Sequence, residues 1–138
     1  MIKSMAGLII LAIVTCINGC FFWPISQKEL IGVYQSVLQD GTPGLPDGGT
    51  EMLELKSDSI CEQNIALKNG RKFLARGTWK YEQGNVVLKN IHNSIDMEDK
   101  INPDIENTTG FQISSSVGRT LGGRILIGSR EVTHYEKK

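Results

Sequence analysis

The chain is poor in the residues that carry chemistry. Its 138 residues include three cysteines and two histidines. His92 and His134 have no second His or Cys at ligand spacing, and a metal site needs three or four converging ligands. No metal or other cofactor is expected, and both histidines read as surface residues. Charge of one sign is missing too. Fifteen basic residues face fifteen acidic ones, so no field draws nucleic acid and no polybasic patch recruits anionic lipid. The glycine-rich stretch 40–49 lacks the Gly-Lys-Ser/Thr of a phosphate loop. Asp96, Glu98, Asp99, Asp104 and Glu106 form an acidic run without the central glycine of a calcium loop, since Lys100 and Ile101 stand where that turn would be. Cys61 could be a nucleophile only beside a base or a positive group. On an apolar strand face it reads instead as a buried, inert thiol. With no nucleophile, base and oxyanion set to assemble, no catalysis is expected.

The first twenty residues carry the clearest signal. Lys3 precedes an apolar run over residues 6–17, and Ile17-Asn18-Gly19-Cys20 follows. The run has the length of a secretory signal and falls short of the roughly 20 apolar residues that span a bilayer. Its end resembles the lipobox of bacterial lipoproteins. Ile17, Gly19 and Cys20 match that pattern, and Asn18 departs from its small or apolar residue. The resemblance implies cleavage before Cys20 and lipid on its sulfur and new amino group. Two or more acyl chains anchor a protein stably where one does not. Phe21 stands where lipoproteins of the Gram-negative inner membrane carry Asp, which implies an outer-membrane anchor facing the periplasm if the cell is Gram-negative. Phe21-Phe22-Trp23 fits either the membrane–water boundary, which aromatic rings favour, or packing under the floor of the domain. Loss of residues 1–19 leaves 14 basic residues against 15 acidic, a formal charge of −1, with Cys61 as the one unmodified cysteine. No internal disulfide is then possible, and burial of apolar surface must hold the fold.

The remainder reads as strands and turns. Ser26-Gln27-Lys28-Glu29 fits a capping box and predicts one helical turn that ends at Gly32. Strands are predicted over 33–38, 51–56, 59–67, 72–81, 86–91, 111–117, 124–127 and 132–136. Leu53 and Leu55 share one face of the second strand, and Cys61, Ile65 and Leu67 share one face of the third. Phe73, Ala75, Gly77, Trp79 and Tyr81 alternate with Lys72, Leu74, Arg76, Thr78 and Lys80, a period of two that places the aromatics inward. Residues 40–49 hold four glycines and two prolines and read as a rim loop. Asn69-Gly70 is a hairpin signal. Residues 92–110 lose the pattern and read as a long surface excursion with a short helical turn. Gly118 and Gly122-Gly123 read as bends. Inside the sheet, Ala75 and Gly77 either seat Trp79 or leave room for a ligand.

About eight short strands joined by tight turns predict an all-β fold, an antiparallel up-and-down barrel. The layout is similar to the small lipocalin-like lipoproteins of bacterial envelopes. Gly32-Val33-Tyr34 resembles the Gly-x-Trp start of such barrels, with Tyr in place of Trp. Leu53-Glu54-Leu55-Lys56-Ser57-Asp58 resembles their aliphatic strand and Asp-containing turn. Gly77-Thr78-Trp79 with Val86-Val87-Leu88 resembles their Gly-Thr-Trp strand and the strand after it. The expected organisation is a signal peptide at 1–19, a lipidated cysteine and linker at 20–27, and one barrel at 28–138. The expected function is a non-catalytic binding or structural module. It is held on the membrane through Cys20 and takes an envelope protein or a small apolar ligand. The alternatives are an inhibitor or immunity-type protein that engages a hydrolase or toxin through loop 40–49, and an envelope enzyme with a loop site.

Overall fold

The computed structural model describes residues 24–96, 98–108, 110–128 and 133–138. The signal segment, Cys20 and the aromatic triplet at 21–23 lie outside the described residues. The fold begins at α1 (Gln27–Leu30), where Ser26 accepts from the Glu29 amide and the Glu29 carboxylate takes the Ser26 amide, the expected capping box. Eight strands follow: β1 (Gly32–Leu38), β2 (Thr50–Leu55), β3 (Ile60–Ala66), β4 (Lys72–Glu82), β5 (Asn85–Ile91), β6 (Phe111–Arg119), β7 (Ile125–Ile127) and β8 (Thr133–Lys137). Each pairs antiparallel with the next, and β8 returns to β1 to close the barrel. Closure leaves no sheet edge open to another chain. The predicted fold class is therefore the observed one.

Two glycines meet conditions that other residues cannot. Gly32 turns the chain from α1 into β1 at φ +147°, and a Cβ there would lie 2.7 Å from the Lys137 side chain. Gly77 faces a bulge in β5, where Asn90 takes φ +60° and the pairing with β6 shifts between Lys89 and Ile91. A Cβ on Gly77 would stand 1.9 Å from the Lys89 carbonyl oxygen. Of the two roles open to Gly77 from the sequence, close packing is the observed one. At the 67–71 hairpin only Gly70 takes positive φ, so Asn69-Gly70 closes a loop longer than a two-residue turn. Gly118 is no bend, because it lies within β6 opposite Leu126.

The barrel interior divides along its axis. At the end that carries α1, Leu30, Tyr34, Leu55, Cys61, Trp79 and Val86 belong to one buried apolar cluster. Tyr34 is fully buried, and its hydroxyl donates to the Leu30 carbonyl at 2.6 Å. Trp79 Nε1 donates to the Lys56 carbonyl at 2.8 Å. At the other end Leu45, Ile65, Leu67, Phe73 and Ile105 form a second cluster. Leu45 comes from loop 40–49 and Ile105 from the segment between β5 and β6. That segment was expected at the surface. It folds partly inward instead, with His92, Ser94 and Ile105 buried. Its acidic residues other than Asp96 stay exposed.

Candidate functional site

Strand parity builds the site. Leu53 and Leu55 point inward, so Glu51, two residues before Leu53, points inward as well. Gln63 takes the same position between Cys61 and Ile65 on β3. Both side chains are 1% exposed. Gln63 Nε2 donates to Glu51 Oε1 at 2.6 Å, and Tyr135 of β8 donates its hydroxyl to the same oxygen at 2.5 Å. Ser94 donates to Glu51 Oε2 at 2.7 Å. Three neutral donors thus converge on one buried carboxyl. Burial nevertheless raises its pKa above the ordinary value, and these hydrogen bonds only partly offset that. The same burial, together with the neighbouring carboxylate, pushes the Tyr135 phenol well up.

Gln63 also ties the segment after β5 into the barrel. Its amide exchanges two hydrogen bonds with the His92 backbone, at 3.0 Å from Nε2 to the carbonyl and 2.8 Å from the His92 amide to Oε1. The His92 ring sits edge-on to Phe73, with Nδ1 at 3.0 Å from the Ile105 carbonyl and Nε2 at 3.3 Å from the Leu74 carbonyl. His92 is therefore no surface residue. It is 7% exposed because the excursion folds over the barrel mouth. His134 was also expected at the surface and is 6% exposed. It lies opposite Val37 on the outward face of β8, while Tyr135 and its partner Ser36 point inward. His134 Nε2 donates to Glu136 at 3.1 Å, and Nδ1 has no partner among the described residues. The outward face is not solvent-facing here, since Val37 and Leu126 are buried beside it. Cys61 is fully buried, and burial raises its thiol pKa, which leaves the sulfur protonated as expected of an inert residue.

A cavity of about 170 Å³ opens beside the Glu51 cluster. Its polar lining comes from Glu51, Ser36, Ser94, Ser115 and Tyr135, together with Asn93 and the two histidines, His92 and His134. Its apolar walls come from Ile91, Ile95, Phe111, Ile113 and Ile127. Ala75 and Gly77, which from the sequence either seat Trp79 or leave room for a ligand, do not line it. Loop 40–49 is pinned at the same end of the barrel. Leu45 is buried, and Asp47 takes the amides of Gly49 and Lys68 at 2.7 and 2.9 Å. Among the described residues no three His, Cys, Asp or Glu side chains gather as a metal site would require.

The sequence reading missed Glu51 and Gln63. The signal was present in the alternation itself, because counting back by two from Leu53 reaches a glutamate and counting on by two from Cys61 reaches a glutamine. Neither Ser94 nor His92 had such a signal, since no period runs through that segment.

No protein-family model matches the chain, and no curated protein matches it. Among solved structures it is similar to a lipocalin-like protein from Bacteroides uniformis ATCC 8492, with a TM-score of 0.46 and 14% sequence identity, over 79% of this chain and 97% of that one.

Proposed function

We propose that the protein is a lipid-anchored module of the cell envelope whose barrel holds a small ligand without transforming it. The observation that carries this reading is the cavity. A pocket of about 170 Å³ is lined by aliphatic and aromatic side chains together with hydroxyls and a carboxyl, the mixture by which a site fixes a ligand's orientation. It is smaller than the roughly 300 Å³ and upward of drug-sized sites, which fits a compact ligand. Ser94 and Tyr135 already donate to Glu51, so the polar groups are arranged to hold a carboxyl rather than to activate a nucleophile. That arrangement favours binding over catalysis. The anchor is Cys20, on the sequence grounds given above, and the outer membrane is its destination by the same resemblance if the cell is Gram-negative. The inhibitor reading draws less support, because loop 40–49 turns Leu45, its only aliphatic side chain other than the prolines, into the interior.

The test has two arms. Intact-mass analysis of the native protein should give a chain that begins at an acylated Cys20, and Cys20→Ala should move it from the membrane to the soluble fraction. An unmodified amino terminus would end the anchor reading. Solvent extraction of the protein purified from its own membranes should release a small molecule at near-stoichiometric yield. Ile113→Trp, which fills the cavity, should abolish that yield. Equal yields from both proteins would overturn the ligand reading.

A further inference from the structure

The Glu51 carboxyl lacks one thing that its surroundings could have supplied. Its three hydrogen-bond partners, Gln63, Ser94 and Tyr135, are all neutral donors. Donors suit an ionised carboxylate, which only accepts. No Lys, Arg or His nitrogen among the described residues pairs with it, although six Lys or Arg ion pairs form elsewhere among them. The His92 ring eases the burial of Glu51 electrostatically, but it turns its nitrogens to the Ile105 and Leu74 carbonyls and gives neither to Glu51. A buried carboxylate with no cation paired to it directly is costly, and the cost falls when one arrives with good geometry. Oε1 already accepts two bonds and Oε2 accepts one, so Oε2 has an acceptor site to spare. Glu51 lines the cavity, and so do the Ser36 and Ser115 hydroxyls, which could accept further N–H groups. Phe111, Ile113 and Ile127 line the same cavity. A cavity of about 150 Å³ accommodates one benzene ring, and this one is of similar size.

We infer that the cavity takes a small primary ammonium compound with a compact hydrocarbon body, its N–H groups on Glu51 and its apolar part against Phe111 and Ile113. The inference rests on the ligand-holding reading above and names its chemistry. Hydrogen bonds and charge then act together, and a charge-assisted N–H···O bond is about twice as strong as a neutral one. The isosteric alcohol lacks the charge, and the isosteric carboxylate meets Glu51 with charge of the same sign.

The experiment uses three probes of one shape: benzylammonium, benzyl alcohol and benzoate, titrated calorimetrically into the full-length native protein in detergent, stripped of any bound molecule. Benzylammonium should bind about tenfold or more tighter than benzyl alcohol, and benzoate should not bind. Glu51→Gln should bring benzylammonium down to the level of the alcohol. The probe comparison needs no variant, so it decides the matter even if Glu51→Gln fails to fold. Equal binding of ammonium and alcohol would overturn the inference and leave the ligand-holding reading standing. Tighter binding of benzoate would also overturn it, and would show that the cavity favours an anion. Binding of none of the three would remove both the inference and the ligand reading for compounds of this size.

Discussion

The two ends of the barrel solve the same problem in opposite ways. At the α1 end the interior is filled with hydrocarbon. Leu30 plugs the opening, and the two polar atoms of large side chains there, the Tyr34 hydroxyl and Trp79 Nε1, each reach a backbone carbonyl. At the far end a carboxyl, a carboxamide and two hydroxyls occupy the core around Glu51, and space remains beside them. The first arrangement supplies stability through apolar burial. The second gives some of that up for a set of directed polar groups, a trade that proteins concentrate at functional sites. The carboxylates of the two ends differ in the same sense. Glu29, at the helix cap, has its pKa lowered to about 2 by the Ser26 amide and by Arg119. Glu51 has its pKa raised by burial.

The largest expected effect tests the filled end. Leu55→Ala removes a side chain that is 1% exposed and should cost about 2–5 kcal/mol in urea unfolding, with no dependence on pH. A cost near that of a surface substitution would break the contrast. The next effect sharpens the polar end. Because the native carboxyl of Glu51 binds its proton more tightly than the unfolded one, its contribution is complete below the ordinary value of 4.5. Stability should then fall as pH rises through the window between 4.5 and the raised value. The slope for one proton is at most about 1.4 kcal/mol per pH unit. Glu51→Gln should flatten that limb, and an unchanged pH profile would show that the group stays in one protonation state throughout. The smallest effect has the opposite sign. Glu29 contributes stability that is present above 4.5 and lost as pH falls toward about 2. Glu29→Gln should flatten the acid limb slightly and less so at high salt, because this carboxylate is solvent-exposed and screened. Loss of stability at neutral pH larger than that of Leu55→Ala would reverse the ranking of the two ends.

Much of this division was legible before the fold. The alternation in 72–81 fixed the inward face of β4, and the capping box placed α1 because both rest on contacts within a few residues. The site was legible only by parity. Glu51 and Gln63 sit at inward positions that their neighbours define, but a charged residue in an inward register reads as an interruption unless its partners are known. Those partners come from β8 and from residue 94, far away in the chain. His92 and His134 were misplaced for the same reason. Their burial depends on what lies over them in three dimensions, and no local pattern encodes it. Gly77 shows the intermediate case, in which a strand glycine announced close packing and only the Asn90 bulge revealed against what.

The position of α1 also sets a direction. The described chain begins at residue 24, and the helical turn that follows lies at the hydrocarbon-filled end. Were Cys20 acylated, at most about 14 Å of backbone would separate it from residue 24. So short a leash would hold the plugged base of the barrel down toward the bilayer and turn its mouth outward, so that any cargo would come and go from the aqueous side rather than from the lipid.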